Sequence, residues 1–253
     1  MYERGKDVLI VFDDLTKHAW IYRQMSLLLE RSPGRDAYPG DIFYLHSQLV
    51  ERACKLRPER GGGSMTFLPI VETLQGDVAR YIPSNLISMT DGQIYTSTNL
   101  FGEGFKPPID LGLSVSRIGN KVQWPAMKKL SSMLRLEYIR YKELEKLTRI
   151  KASVSDDIEK RLNKGRVVAE ILKQDKGAPV PMEDQVIILY ALAKGFLDDA
   201  KPSDVIPLQK RLIASLRTHQ PQLIQDLIEQ KDLTRAISEA LDEHLKQFTN
   251  TPV

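Results

Sequence analysis

Arg117 combines a residue type and a position that suit chemistry on a phosphoryl group. It closes the alternating run Leu-Ser-Val-Ser, which predicts a short strand, and Gly119 follows two residues later. An arginine at a strand end stays charged, presents a planar fork of donors, and can stabilise the charge of a transferring phosphoryl group. From its position alone a structural salt bridge is the better explanation, so the surrounding elements must decide.

Asp13 is a second residue whose position suggests a chemical role. It follows residues 7–12, D-V-L-I-V-F, a continuous apolar run that predicts a buried parallel strand. A carboxylate at the end of such a strand orients Mg²⁺, usually through water, beside the phosphates of a nucleotide, as in a Walker B element. Asp14 can also cap the helix that follows, which is the structural alternative.

The phosphate-binding loop that usually accompanies a Walker B strand, G-x-x-x-x-G-K-[ST], does not occur in the sequence. We interpret the G-G-G-S run at 61–64 as a flexible loop before a strand at 66–72. Because the phosphate loop precedes the Walker B strand in this kind of sheet, the chain looks like the back part of a nucleotide-binding domain. We therefore expect the isolated chain to bind ATP no tighter than millimolar.

Hydrophobic periodicity divides the chain into an α/β part and a helical part. In the first part it predicts helices at 15–30 and 42–55, and two short strands within 81–119. Near residue 123 the pattern changes to a long amphipathic helix. Further helices are predicted at 155–174, 183–199, 203–217, 221–230 and 233–248. The sequence thus predicts an α/β domain over residues 1–123 and an all-α helical bundle over residues 124–253.

Composition excludes several classes of protein for this chain. Apolar residues make up 42% of the 253, charged residues 27%, and the net charge is only +3 with both signs interleaved, so no nucleic-acid footprint is present. No apolar run approaches the roughly 20 residues of a membrane span, and the start lacks the apolar core of a signal peptide. With one cysteine, Cys54, this sequence has neither an internal disulfide nor a cysteine-based metal site, and we assign no metal-ligand role to the four histidines.

Longer motifs give the chain a resemblance to one family. They are V-F-D-D-L-T-K-H-A at 11–19, Y-R-Q-M-S-L-L-L at 22–29, P-G-R-D-A-Y-P-G-D-I-F-Y-L-H-S at 33–47, G-G-G-S-M-T-F-L-P-I-V-E-T at 61–73, D-V-A-R-Y-I-P-S-N-L-I-S-M-T-D-G-Q-I at 77–94 and G-L-S-V-S-R-I-G at 112–119. Over essentially its whole length the chain resembles the C-terminal half of the alpha subunits of F-type ATP synthases. The resemblance implies part of a RecA-like nucleotide-binding domain, from the Walker B strand onward, and then a C-terminal helical domain.

Individual positions acquire expected roles from this resemblance. Arg117 matches the arginine finger that reaches into the catalytic site of the neighbouring beta subunit, and Ser88 matches a serine that helps shape phosphate binding there. Asp13 matches the Walker B carboxylate that acts, indirectly, on the Mg²⁺ of the alpha subunit's own non-catalytic ATP or ADP. The residues that match the adenine pocket of that nucleotide are Phe101, Lys106, Pro107 and Gln174.

The resemblance also implies a function and partners. The protein would be a non-catalytic subunit of a rotary ATP synthase, which couples ATP synthesis and hydrolysis to ion transport, including proton transport, and would not be catalytic alone. Its partners would be beta subunits in an alternating hexameric ring, the central stalk (gamma) subunit and a peripheral stalk. The complex would lie on the cytoplasmic face of the cell membrane, or on the matrix or stroma side in an organelle.

Some positions depart from the family pattern. Lys106 stands where the family usually has arginine, and Lys176 stands where a second adenine-contacting glutamine is usual. The stretch 147–156 differs strongly from the family's usual sequence facing the central stalk. Together with M-L-R-L-E-Y at 133–138, it is more similar to an alternate subgroup that is often sodium-linked.

Two other functions stay open at this point. A truncated paralogue that acts only as an interaction or assembly module, without a nucleotide, would explain why no phosphate loop occurs in the sequence. A RecA-like nucleic-acid motor would share the arginine lent to a neighbour, but it would need a basic groove with stacking aromatics. The helical part offers mixed charges instead, which disfavours the motor.

Overall fold

The computed structural model describes residues 2–148, 155–198 and 200–250, and side chains up to residue 248. It separates into two compact units, Met1–Gln93 and Ile94–Val253. Within the described residues, no helix is both long and apolar enough to cross a membrane. Most of the stretch 147–156, which departs from the family pattern, lies outside the described residues.

The first unit contains a three-stranded sheet and three helices. The strands are β1 (Asp7–Phe12), β2 (Cys54–Lys55) and β3 (Ser64–Pro69), and β3 lies in the centre, parallel to β1 and antiparallel to β2. The helices are α1 (Leu15–Leu28), α2 (Ile42–Val50) and α3 (Tyr81–Met89). Their apolar faces form a core whose buried members are Leu15, Ala19, Tyr38, Ile42, Val50, Ile82 and Leu86. Small strands followed by a helical region confirm the predicted fold class.

The strand at 7–12 was predicted correctly in its bounds and its parallel pairing, but not in its burial. Leu9 and Val11 are 62% and 52% exposed, whereas Phe12 packs on the core and its ring meets Phe67 edge-on at 5.2 Å. Successive side chains of a strand point to opposite faces. Among the described residues only one face of β1 meets the helices, so the run is apolar on both faces but covered on one.

Two features of the first part of the chain differ from the prediction: the end of the second helix, and an additional helix at residues 81–89. The helix predicted at 42–55 ends at Val50, and Cys54–Lys55 form a strand beside β3. The region 81–119 begins with helix α3, whose Pro83 sits in the first turn, where a missing N–H costs nothing. The two short strands predicted within 81–119 are confirmed as β4 (Gly92–Gln93) and β5 (Val115–Ser116), of two residues each.

The glycine run at 61–64, predicted to be a flexible loop, forms a tight turn. Gly61 and Gly62 have φ angles of +94° and +66°, which favour glycine. A Cβ on Gly63 would overlap the carbonyl oxygen of Tyr2. The glycines are therefore required by a close approach between two backbone segments.

The second unit is predominantly helical. After the short helix α4 (Thr98–Gly102) come α5 (Pro125–Thr148), α6 (Asp156–Ile171), α7 (Met182–Ala193), α8 (Val205–His219), α9 (Pro221–Gln230) and α10 (Arg235–Asn250). Helix α7 buries every residue from Val186 to Leu192 and forms the centre of the bundle. The predicted bundle is confirmed, although the helix predicted at 183–199 ends six residues earlier, before the left-handed Gly195.

Helices α5 and α6 approach each other closely at Gly165. A Cβ built on Gly165 would overlap the ring of Tyr141, which lies against the glycine backbone. Tyr141 is buried, and its hydroxyl donates a hydrogen bond to Glu145 at 3.0 Å. Burial, followed by that bond to the carboxylate, raises the pKa of Tyr141 to about 12. The ring therefore stays neutral and sets the distance between the two helices.

The two histidines of the first unit form a pair in its core. His46 is fully buried, and its Nε2 lies 3.1 Å from Nδ1 of His18. Burial, and then the Coulombic effect of His18, lowers the pKa of His46 from 6.5 to about 4. A neutral His46 is thus a condition for packing α1 against α2.

Gly165→Ala should destabilise the helical unit by about 1–3 kcal/mol, because the added methyl group forces Tyr141 or the helices apart. Denaturant unfolding would measure the loss. Gly102→Ala is the matched control, since a Cβ at Gly102 meets no atom within 4 Å. Equal midpoints for the two variants would contradict the close packing of α5 on α6.

The stability of the first unit should fall as the pH drops from about 6.5 to about 4. The pKa of His46 is lower in the folded than in the unfolded state, so between these values the unfolded state binds more protons. The slope is at most about 1.4 kcal/mol per pH unit for one group. Trp20 fluorescence in a Trp124→Phe background would follow this unit during urea unfolding.

His46→Gln should flatten that dependence on pH. His219→Gln, an exposed position of the other unit, is the control and should leave the Trp20 signal unchanged. An unaltered pH slope in His46→Gln would refute the role of His46.

Candidate functional site

The four residues that match the adenine pocket of the family lie close together in the second unit. Phe101, Lys106 and Pro107 belong to the loop of residues 95–110, hereafter the 95–110 loop, and Gln174 follows the end of α6. The backbone N–H of Gln174 donates to the carbonyl oxygen of Lys106 at 2.8 Å. This single bond joins the loop to the segment after α6 and brings the four positions into one neighbourhood.

The 95–110 loop is closed by hydrogen bonds between its two arms. The N–H of Ser97 donates to the carbonyl of Pro108 at 2.8 Å, and the N–H of Asp110 donates to that of Tyr95 at 2.9 Å. Ser97 also caps α4, because its hydroxyl accepts from the N–H of Leu100. The hairpin-like base thus fixes α4, which carries Phe101 at its outer end.

The exposed surface of this site is an aromatic ring, a cation and an amide. Phe101 is 59% exposed, and the ammonium nitrogen of Lys106 lies 5.5 Å from its ring centroid. The side-chain amide of Gln174 donates to the carbonyl of Ala178 at 2.9 Å, which fixes its orientation. An exposed ring and an oriented amide are groups that suit a planar heterocycle, which can stack and form hydrogen bonds at its edge.

A buried aromatic pair and a neighbouring ion pair join the loop to α5. Phe105 and Tyr138 are 7% and 3% exposed, and their ring centroids are 5.9 Å apart. Lys142 of α5 bridges Glu103 of the loop and Glu145 of its own helix, at 3.1 Å each. Burial acts to lower the pKa of Lys142, but the hydrogen bonds to both carboxylates outweigh it and raise the pKa. Sequence reasoning missed this contact, since helical spacing does not reveal a loop partner.

In the first unit, carboxylates gather at the carboxyl ends of β1 and β3. Asp14 is buried and caps α1 by accepting from the N–H of Lys17 at 2.6 Å, which confirms the structural alternative for this residue. Its other oxygen binds the ammonium of Lys17 at 2.6 Å. Burial acts to raise the pKa of Asp14, but the bonds from Lys17 outweigh it and lower the pKa. Glu72, whose N–H donates to Thr16 at 2.9 Å, lies at the same edge.

Asp13 is exposed at this edge. Within the described part of the chain, no group of three or more His, Cys, Asp or Glu side chains could hold a metal ion by itself. A single exposed carboxylate nevertheless fits Mg²⁺, which keeps several waters and takes one or two carboxylates together with substrate phosphates. The arrangement at Asp13 therefore suits indirect contact with an Mg²⁺–nucleotide and not a closed protein cage.

Ser88 and Arg117 lie in different units. Ser88 is exposed on α3, and its hydroxyl donates to the carbonyl of Asn85 at 2.6 Å. Arg117 is exposed and directly follows β5. Ser88 belongs to the first unit and Arg117 to the second. Among the described site residues expected from the sequence, the structure brings together Phe101, Lys106, Pro107 and Gln174.

Sequence reasoning also missed Lys17 and Glu72 at the edge of the sheet. Their ammonium and carboxylate groups are 3.7 Å apart. Glu72 follows β3 by three residues, and an acidic residue at the end of a second parallel strand is the signal that would have identified it.

Two family models together cover nearly the whole chain. The model of the ATP synthase alpha/beta family, nucleotide-binding domain, matches residues 1–116. The model of the ATP synthase alpha/beta chain, C terminal domain, matches residues 123–248.

Curated relatives named ATP synthase subunit alpha are similar to the chain over almost all of its residues. The protein of Clostridium botulinum strain Eklund 17B is 50% identical over 245 residues, which are 97% of this chain and 49% of the relative. The protein of Clostridium botulinum strain Hall is 48% identical over 247 residues, which are 98% of this chain and 49% of the relative. The chain spans about half the length of the curated relatives it matches.

Proposed function

The chain belongs to the ATP synthase alpha/beta family, and we propose that it serves as a non-catalytic alpha subunit of a rotary F-type ATP synthase. Its complex would couple ATP synthesis and hydrolysis to the transport of ions across a membrane. The observation that carries this proposal is the sustained likeness to proteins named ATP synthase subunit alpha, through both the nucleotide-binding part and the helical part.

In this proposal Arg117 acts on a nucleotide held by a neighbouring beta subunit. Its exposure at the end of β5 supports this role, because a guanidinium that reaches another chain must extend from the surface. There it would stabilise the charge on the transferring phosphoryl group, and Ser88 would help to shape the phosphate site. The partners are beta subunits in an alternating ring, a central stalk and a peripheral stalk, with the complex bound peripherally to a membrane.

The chain's own nucleotide, ATP or ADP with Mg²⁺, would be non-catalytic. Asp13 would orient the ion through water, and the ion would neutralise phosphate charge. Phe101 would stack on the adenine, while Lys106, Pro107 and Gln174 would border it. The hydrogen bond from Gln174 to Lys106 supports this assignment, because it ties together residues that are distant in sequence.

The boundary between the two domains is proposed at residues 123/124. Helix α5 begins at Pro125, directly after this point. The segment 94–123 joins the helical unit in the structure because Leu100 and Phe105 are buried in its core. The proposed boundary follows the change in sequence pattern, whereas the compact units follow this packing.

Arg117→Lys and Arg117→Ala should lower ATP hydrolysis by the assembled complex by roughly 10³-fold or more, as expected for an arginine supplied by a neighbour. Lysine keeps the charge but loses the planar fork. Ring assembly, measured by size, should be unchanged. Arg235→Lys, at an exposed arginine that pairs with Glu239 within α10, is the control. Unimpaired turnover in Arg117→Ala complexes would rule out the proposed role.

Phe101→Ala should weaken Mg²⁺–ATP binding at the non-catalytic site of the complex by about 5- to 150-fold, because stacking of one base on an aromatic ring contributes about 1–3 kcal/mol. Phe101→Tyr keeps the aromatic face and should bind almost like the wild type. Equilibrium binding of a fluorescent ATP analogue would compare them. Equal affinity for all three proteins would exclude Phe101 as the stacking residue.

A further inference from the structure

Helix α5 holds the 95–110 loop at two points inside the segment that bears the proposed adenine contacts. The first is the ion pair between Lys142 and Glu103, at 3.1 Å. The second is the packing of Phe105 on Tyr138, with ring centroids 5.9 Å apart. Both loop residues lie in the short stretch from Phe101 to Pro107. The position of this stretch therefore depends on two neighbouring turns of α5.

The loop needs such a hold because its own secondary structure is short. Helix α4 has five residues, and a helix of one or two turns is unstable without tertiary contacts, since nucleation is costly. Its Phe101 is largely exposed and adds little burial. The loop therefore depends on tertiary contacts: Leu100 is buried in the core, and Glu103 and Phe105 attach the loop to α5.

Charge makes Lys142 the critical member of this contact. The buried hydroxyl of Tyr138 has no hydrogen-bond partner among the described residues, and the groups acting on it are Lys142 and three carboxylates, Glu103, Asp110 and Glu145. The side chain of Lys142 is only 25% exposed, so water screens its ion pairs less than those of a surface lysine. Without this ammonium, Glu103 of the loop would lose the ion pair that links it to α5.

We propose that Lys142 is a positioning residue for the nucleotide site: its ion pair with Glu103, beside the packing of Phe105 on Tyr138, fixes the 95–110 loop on α5 in the conformation that receives the purine. For the identity of the ligand this rests on the proposed function. The attachment of the loop to α5 is a property of this chain alone. Lys142 does not contact the nucleotide and acts through Glu103.

Hydrogen exchange of the full chain tests the attachment without any nucleotide. The reporters are the N–H groups of Phe101, Glu103 and Phe105, which all donate within the loop. Lys142→Met and Glu103→Gln should each speed their exchange about fivefold, the change that about 1 kcal/mol of ion-pair energy gives. Lys142→Arg should restore slow exchange, since it keeps the charge.

Glu145→Gln is the matched control. It removes the partner of Lys142 that lies within α5 but leaves the link to the loop, so exchange in the loop should stay at the wild-type rate. Tyr138→Phe should also keep it, because the ring still packs on Phe105 and the lost hydroxyl had no partner among the described residues. Unchanged exchange in both Lys142→Met and Glu103→Gln, or equal acceleration in Glu145→Gln, would overturn the proposal.

Binding of Mg²⁺–ATP to the assembled complex completes the test. Lys142→Met and Glu103→Gln should raise the Kd of the non-catalytic site about fivefold, whereas Lys142→Arg and Glu145→Gln should not. If the wild-type complex holds no nucleotide at this subunit, the proposed function fails, while the exchange rates still decide whether Lys142 holds the loop. If the wild type binds and the loop loosens but affinity is unchanged, Lys142 is structural and its positioning role is refuted.

Discussion

The close approach of α5 and α6 at Tyr141 and Gly165 determines the geometry of the candidate nucleotide pocket. Helix α6 leads to Gln174, and α5 carries the residues that hold the 95–110 loop. The distance between the two helices therefore decides whether Gln174 can reach the carbonyl of Lys106, a bond of 2.8 Å. Interiors are close-packed and transmit strain, so a change of one methyl group between the helices would move both sides of the pocket.

A different constraint acts in the first unit, where the parallel register of β1 and β3 sets the charges at the sheet edge. Phe12 pairs with Pro69 at the end of both strands. The residues that follow the two strands therefore lie at the same edge of the sheet. Lys17 then lies among the carboxylates, bonded to Asp14 and 3.7 Å from Glu72, while Asp13 also acts on it. One lysine among three carboxylates leaves the edge negative. Such an edge repels a bare phosphate and favours one that arrives with a divalent cation.

Sequence patterns predicted the elements whose apolar residues are continuous or regularly spaced. The bounds of β1 and α9 were predicted to the residue, and the helical bundle followed from regular spacing. The patterns failed where tertiary contact decides. The helix predicted at 42–55 stops early because Cys54 and Lys55 pair with β3, and Gly61 and Gly63 pack against residues that precede them by more than fifty positions.

The same division holds for the candidate site. The resemblance to the family supplied residue types and expected roles, including the four positions that meet at the 95–110 loop. They did not supply the contacts that hold those positions, because Lys142 and Glu103 are thirty-nine residues apart and neither belongs to a recognisable motif. An ion pair between a loop and a helix depends on packing, to which local periodicity is insensitive.

The cation over Phe101 raises the question of whether Lys106 hinders a stacking base. An ammonium 5.5 Å from an exposed ring gains about 0.5–1 kcal/mol, whereas a base stacked on an aromatic side chain gains about 1–3 kcal/mol. Stacking therefore wins in most of this range, and the flexible stem of lysine lets the ammonium move aside from the ring face. Lysine at this position therefore leaves the exposed face of Phe101 open to a stacking base.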